Sequence, residues 1–357
     1  MAVSQVEVAV LLKESAKELG LVAGIAPARL PDEELARLRA WVARGDQGSM
    51  RYMERDLEAR ADAGAKLLPG ALSVLMVALP YPPELDPDSA EPISTYARGA
   101  DYHRILGEKL DRLALRAAEL LPGARTRRFV DTAPLLERAF AHQAGLGFYG
   151  KNACLIHPRL GSYLFLGGLA LDRALEPDGP LDPHPTCGTC TRCLDACPTD
   201  AIPSPFRIDS RRCISYLTIE HRGAYDASLR EAVGSHVFGC DVCQAVCPWN
   251  AKFAPEGDEA LAPRSDLGGP LSALYRRIDA SFKGTTRDTA LPRSLKKGFL
   301  RNLATAMGNG SDPADLDVLR ELAAHEDSSV RDHALWALEK RNDGRKGPGG
   351  VGVSPAR

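Results

Sequence analysis

Cys187-Gly188-Thr189-Cys190-Thr191-Arg192-Cys193-Leu194-Asp195-Ala196-Cys197-Pro198 is the stretch on which the reading of this chain turns. In a Cys-x2-Cys-x2-Cys-x3-Cys-Pro run, three closely spaced thiolates hold one [4Fe-4S] cube, and the fourth reaches across to a different cluster. A second run, Cys240-x2-Cys243-x3-Cys247-Pro248, lacks its first member, because Val237 stands where that cysteine would fall. Of the nine cysteines, eight lie between Cys187 and Cys247, and Cys213 is the one left to complete the second set. The expected ligands are therefore Cys187, Cys190, Cys193 and Cys247 for one cluster, and Cys197, Cys213, Cys240 and Cys243 for the other. Zinc sites prefer two separated Cys-x2-Cys pairs, and disulfides belong to oxidising compartments, so neither suits this pattern. Cys154, beside Leu155 and Ile156, reads as a small apolar residue with a structural role.

Outward from the cysteines, the 357 residues suffice for about two to three domains. With 45 Lys and Arg against 47 Asp and Glu, no global basic field marks a nucleic-acid partner, so such a partner would need a local patch. The longest apolar runs, near 72–80 and 163–171, fall well short of the roughly 20 residues that span a bilayer. The N-terminal region lacks the features of a signal peptide, and a reducing cytoplasm is the expected compartment. Apolar periodicity predicts helices over 4–19, from Pro31 and Asp32 to about Arg44, and over 101–121. Strands are expected at 21–25, 71–79, 127–130 and 163–171. The strand at 127–130 delivers Asp131 at its end, and Thr132 is expected to cap a helix with Pro134 in its first turn and 135–146 as its body. After a Pro/Asp/Gly-rich linker at 176–185 comes the cysteine module, and beyond about residue 269 the pattern is helical, over 299–307, 313–324 and 328–340. The last two helices have the size of one solenoid repeat, which must pack on the preceding domain to bury its face. The expected division is 1–175, an α/β (α+β) domain; 176–255, a ferredoxin-like two-cluster module; 256–341, helical and HEAT-like; and 342–357, a disordered tail.

Clusters move electrons singly and do not choose a substrate, so an acceptor site must lie elsewhere. Neither a Gly-x-Gly-x-x-Gly nor a Walker A pattern is present, which leaves nicotinamide and nucleotide binding unsignalled. Asp101-Tyr102-His103 approaches the Asp-x-His-x-x-Gly pattern of corrinoid enzymes that ligate cobalt through histidine. Its spacing to Gly107 is one residue too long, and it opens a helix.

Tyr96-Ala97-Arg98-Gly99-Ala100-Asp101-Tyr102-His103, Val130-Asp131-Thr132-Ala133-Pro134-Leu135-Leu136-Glu137-Arg138, Gly147-Phe148-Tyr149-Gly150-Lys151-Asn152, the two cysteine runs and Arg212-Cys213-Ile214-Ser215-Tyr216-Leu217-Thr218-Ile219-Glu220 occur in this order. Together they resemble the epoxyqueuosine reductase family over roughly residues 5–340. The resemblance implies a cobalamin-dependent iron–sulfur enzyme that completes queuosine on tRNA, acting on the epoxide-bearing base at the wobble position. It further implies a corrinoid domain related to that of reductive dehalogenases, with cobalamin held base-off without a histidine ligand.

Removing an epoxide oxygen to leave an alkene needs electrons and a proton donor for the departing oxygen. Asp131, at a strand end, is the candidate acid, and the resemblance assigns it the same role. An aspartate of pKa near 3.9 is only about 0.1% protonated at pH 7, so burial is expected to raise it by roughly 2 to 3 units. Arg55, Asp101, Asp131, Lys151, Asn152 and Ser162 are the candidates for cobalamin contacts. Lys283, Arg287, Arg293, Lys296, Lys297 and Arg301 set six positive charges against Asp288 in nineteen residues, and with Arg222 they form the best phosphate-binding candidate. A monomer fed by a separate electron donor, without membrane attachment, is expected. A dehalogenase-like reductase of a small molecule would need neither the basic run nor the repeat. A ferredoxin-like carrier would leave the first 175 residues unexplained.

Overall fold

The eight residues Ser73–Pro80 are apolar at almost every position, and a strand of that kind needs cover on both faces. In the computed structural model, which describes residues 4–89, 91–252 and 257–343, this strand is β2 of a four-stranded sheet. β1 (Val22–Pro27), β2, β6 (Leu164–Leu171) and β3 (Thr126–Phe129) lie side by side in that order, every pair antiparallel. Strand and helix segments alternate along the sequence, yet the sheet is α+β in kind.

Because side chains alternate along a strand, β2 sends Leu75, Val77 and Leu79 to one face and Val74, Met76 and Ala78 to the other. The first face is covered by the helices Gln5–Glu18 and Tyr102–Leu120, through Val8, Leu12 and Ala16 and through Ile105, Leu106, Leu110 and Leu113. The second is covered by Leu35 and Leu38 of the helix Asp32–Ala43 and by Phe140 of the helix Glu137–Gln143. Each fully buried leucine among them contributes about 1.5 to 3 kcal/mol. A Cβ at Gly168 in β6 would come within 2.7 Å of the Phe129 ring, so glycine there lets β3 lie flat on its neighbour.

One expected helix is shorter than its sequence suggests. Ala133 precedes proline, which disfavours the helical region for it, and the chain therefore runs from Asp131 to Leu136 as a loop. The helix begins only at Glu137, so Thr132 is not its cap and Pro134 lies outside it. A short pair, β4 (Phe148–Tyr149) and β5 (Leu155–Ile156), follows.

The cysteine-rich segment is tied to the loop before the helix Tyr102–Leu120 through Asp241, buried between Cys240 and Val242. Its carboxylate accepts from Ser94 Oγ and from the Thr95 amide, both at 2.8 Å. The C-terminal helices centre on Leu295–Asn309, which is buried along most of its length and packs against Leu271–Ala280, Asp315–Leu322 and Ser328–Asp343. A Cβ on Gly308 would approach Ala337 to 2.6 Å, and this small-residue contact lets the last helix lie close. Asp327 caps that helix, accepting from the amides of Ser329 and Val330. The helix Leu271–Ala280 was not singled out by periodicity. The expected disordered tail, apart from Asn342 and Asp343 at the helix end, lies outside the described residues. Among the described residues no helix is long and apolar enough to cross a membrane.

Candidate active site and cluster ligands

β3 ends at Phe129, and two residues later Asp131 turns into the left-handed region, φ 54°, which aspartate tolerates better than most residues. That turn leaves the Asp131 side chain 63% exposed at the end of the sheet. Its Oδ2 lies 3.5 Å from His103 Nε2, an ion-pair separation too long for a good hydrogen bond. The other ring nitrogen, Nδ1, is 2.7 Å from Asp101 Oδ1. Asp101 also caps the helix Tyr102–Leu120 by accepting from the His103 amide at 3.0 Å. Tyr102, stacked between His103 and Phe165 at centroid distances of 4.1 and 4.2 Å, fixes the orientation of the imidazole ring.

With a carboxylate facing each nitrogen, the imidazole is held as its cation. The bond to Asp101, then the ion pair with Asp131, pushes His103 up to about 9 against the opposing effect of burial. The same pairing holds Asp131 below the ordinary carboxylate range, although burial works the other way. This corrects the sequence-based expectation of a raised aspartate: desolvation is present, but the imidazolium outweighs it. The proton at this site resides on His103. Glu137, by contrast, is pushed up to about 8 by burial and by the nearby Asp131 carboxylate.

The eight clustered cysteines fall into two neighbourhoods. Cys193 feels Cys187, Cys247 and Cys190, and Cys240 feels Cys213 and Cys197, while Cys243 feels Cys240 and Cys213. Cys154 lies among them as well, next to Cys243 and within electrostatic reach of Cys213 and Cys247. Among the described residues no three such side chains converge on a single metal-ion position. A cube, held by four separate thiolates, does not require them to. Cys197 Sγ also accepts from the Ala201 amide at 3.2 Å. Cys154 stands beside Cys243, nearer the cluster ligands than an ordinary core thiol would be.

Three of the cobalamin candidates spend their polar atoms on the cluster module. Lys151 Nζ donates to the carbonyls of Gly188 and Cys190 at 2.8 and 2.9 Å. Asn152 donates to the Cys243 carbonyl at 3.2 Å and accepts from the Cys154 amide. Ser162 Oγ donates to Gln244 at 2.9 Å, and its amide to Asn250 at 2.7 Å. Arg55 is exposed in the loop beside Asp56. The exposed Asp131 carboxylate remains as the group open to a bound cofactor, and behind it His103 Nε2 is buried with no hydrogen-bond partner among the described residues. The end of the sheet thus offers a polar cofactor one exposed carboxylate with an unsatisfied ring nitrogen behind it.

Of the basic run, Lys283, Arg287, Arg293, Lys296 and Lys297 are exposed, as is Arg222. Lys296 pairs with Asp279 at 3.1 Å, Lys297 with Asp327 at 3.7 Å, and Arg293 with Glu220 at 2.7 Å. Arg222 donates to the Arg293 carbonyl at 2.9 Å. Arg301 does not belong to this surface. It is 1% exposed, and its guanidinium donates to the carbonyls of Leu217, His221 and Gly223. Periodicity could not separate it from its exposed neighbours, because the helix carrying it is buried nearly all round. Arg293 lies over the ring of Tyr52 at 5.7 Å, and both are close enough to Asp131 to be felt electrostatically, which brings the basic run to the mouth of the site.

Glu137 and Tyr52 were missed by the sequence reading, and His103 was weighed only as a metal ligand. The signals were available: a carboxylate two residues before a histidine at a helix start, and a glutamate six residues after the strand-end aspartate.

Two family models match the chain. One described as a 4Fe-4S double cluster binding domain covers residues 186–250, and one described as epoxyqueuosine reductase QueG, DUF1730, covers residues 60–132. An epoxyqueuosine reductase of Xanthomonas campestris pv. campestris is 41% identical over 344 residues, covering 93% of this chain and 96% of that one. The fold is similar to a crystal structure of an epoxyqueuosine reductase with an epoxyqueuosine-modified tRNA-Tyr stem loop, with a TM-score of 0.84 at 32% identity, covering 93% of this chain and 89% of that one. It is also similar to an epoxyqueuosine reductase from Bacillus subtilis whose catalytic loop is swung out of the active site, with a TM-score of 0.82 at 32% identity over 93% and 90% of the two chains.

Proposed function

The chain belongs to the epoxyqueuosine reductase family, and from that premise we propose how its own residues divide the work of reducing epoxyqueuosine, at the wobble position of tRNA, to queuosine. The reaction takes up two electrons and two protons, breaks both C–O bonds of the epoxide and releases the oxygen as water. Two [4Fe-4S] clusters pass electrons one at a time, and cobalamin supplies the low-potential reducing power at the substrate.

The observation that carries the reading is the chain of contacts from Asp101 through His103 to the exposed Asp131 carboxylate. Asp131 faces the substrate and delivers the proton to the departing oxygen. His103, protonated at neutral pH, resupplies it. Asp101 holds the imidazole in place and keeps it charged. Because Asp131 is ionised at rest, it takes the proton from His103 only as the departing oxygen develops charge, and the second proton of the released water comes from solvent.

Asp131 is also the group that meets the cofactor, with His103 behind it and the exposed Arg55 a further candidate. Lys151, Asn152 and Ser162 act behind it, fastening the cluster loops to the catalytic domain. We read residues 1–175 as the catalytic domain, 176–255 as the cluster module and 256–341 as a HEAT-like helical region. Arg222, Lys283, Arg287, Arg293, Lys296 and Lys297 of this chain contact the tRNA backbone. A one-electron donor, a monomeric state and a cytoplasmic location complete the proposal.

The test is anaerobic incubation of the holoenzyme with epoxyqueuosine-containing tRNA and a reductant, followed by nucleoside analysis. Wild type should form queuosine. Asp131→Asn should keep both clusters and cobalamin and lose turnover by about 10²- to 10⁴-fold, as general-acid groups usually contribute. Activity within a few-fold of wild type would take Asp131 out of the mechanism.

A further inference from the structure

The loop that carries Asp131 has few anchors. Its far end is fixed where the Leu136 amide donates to the Arg60 carbonyl at 3.0 Å. Between these points, the amides of Thr132 and Leu135 donate to Val130 and Ala133, two residues back, and Pro134 has no amide to give. At the near end Asp131 occupies the left-handed region, a conformation that needs outside support to persist in a non-glycine residue. The side chain of Asp131 meets His103, while its backbone is held by Glu137: the Asp131 amide donates to Glu137 Oε1 at 2.7 Å. Glu137 is the first residue of the helix Glu137–Gln143, seated on the sheet, so the acceptor is fixed to the rigid body of the domain. The carboxyl reaches back six residues to hold the turn.

We propose that Glu137 is the latch of the catalytic loop: a positioning residue whose side-chain carbonyl holds Asp131 at His103 and facing the substrate. This deepens the reading of Asp131 as proton-delivering residue and rests on it. The contact uses the acceptor oxygen of Glu137 and does not require its proton or its charge. A neutral acid serves better than a carboxylate there, because ionised Glu137 would set a second negative charge beside Asp131. Burial and Asp131 itself, which push Glu137 up to about 8, keep it neutral at pH 7. Glutamine has the same shape and the same acceptor, and it should therefore replace Glu137.

The test compares Glu137→Ala and Glu137→Gln as holoenzymes, with two measurements. The first is amide hydrogen exchange of the peptide spanning residues 130–136, which reads the latch without reference to catalysis. Glu137→Ala should speed exchange at Asp131 by about tenfold or more, while Glu137→Gln stays near wild type. The second is the single-turnover rate on epoxyqueuosine-containing tRNA. Glu137→Ala should fall by about 10²-fold, the usual cost of an ångström of misplacement, with tRNA affinity little changed. Glu137→Gln should remain within a few-fold of wild type. Unchanged exchange in Glu137→Ala would overturn the latch. A Glu137→Gln enzyme as slow as Glu137→Ala would also overturn it, by showing that Glu137 handles a proton itself. Failure of the underlying reading looks different: Asp131→Asn would be active while the exchange result still held.

Discussion

Asp101→Asn isolates the part of the site that stores the proton. Asparagine caps a helix about as well as aspartate, so the bond from the His103 amide survives and the helix Tyr102–Leu120 should stay in place. What is lost is the charge facing His103 Nδ1 at 2.7 Å. A hydrogen bond to a charged group contributes about 1.5 to 3 kcal/mol. At 1.36 kcal/mol per pKa unit that corresponds to roughly 1 to 2 units on His103. The two side chains are 32% and 30% exposed, and solvent screening favours the lower end. Wild-type His103 keeps its proton until the pH rises through about 9. The stabilisation it lends the fold is complete below its unfolded value near 6.5 and is lost over the same upper range. In Asp101→Asn the alkaline limb of the reaction should therefore move down by about one pH unit, with activity at about pH 6.5 nearly preserved. The assay is the anaerobic single-turnover rate between about pH 6 and 10, scored as queuosine formed, with cofactor spectra confirming loading. A limb that stays at the wild-type pH in the variant would refute the storage role of His103 and return Asp101 to the status of a helix cap.

Cys213→Ala should lower iron from about eight to about four atoms per chain, sparing the cluster held by Cys187, Cys190, Cys193 and Cys247; an unchanged iron count would break the crossed assignment. Replacing Lys296 and Lys297 together by Gln should weaken tRNA binding and reduce the slope of log affinity against log salt by about 1 to 2, with cobalamin content unchanged. Equal slopes would make these residues an ordinary solvated face paired to Asp279 and Asp327. Arg301→Met should leave the carbonyls of Leu217, His221 and Gly223 without their donor and lower the midpoint of thermal unfolding, at about 1 to 3 kcal/mol for each buried acceptor. The salt slope of tRNA binding should not change in that variant, and a fall in it would mean that Arg301 reaches phosphate after all.

Cysteine spacing by itself determined the cluster chemistry, because ligand sets close together in sequence are dictated by the reach of short loops. Cys213, 27 residues from Cys240, could be assigned only because no other cysteine remained in the region. Apolar patterning likewise located the main helices and strands to within a few residues, since the continuous apolar run of β2 and the helical stripe of Tyr102–Leu120 record what is buried. The antiparallel order of the sheet was not legible, because strand order depends on contacts between segments distant in sequence. For the same reason spacing could not show that Lys151, Asn152 and Ser162 turn toward the cluster module, or that Arg301 is buried among carbonyls while Lys297 is exposed. The state of Asp131 was decided by tertiary structure alone. Its pKa is set by a histidine 28 residues away and its backbone by a glutamate beyond a proline turn, and both effects fall off within a few ångströms. A sequence fixes which charged groups exist, whereas only the folded chain fixes the distances at which they meet.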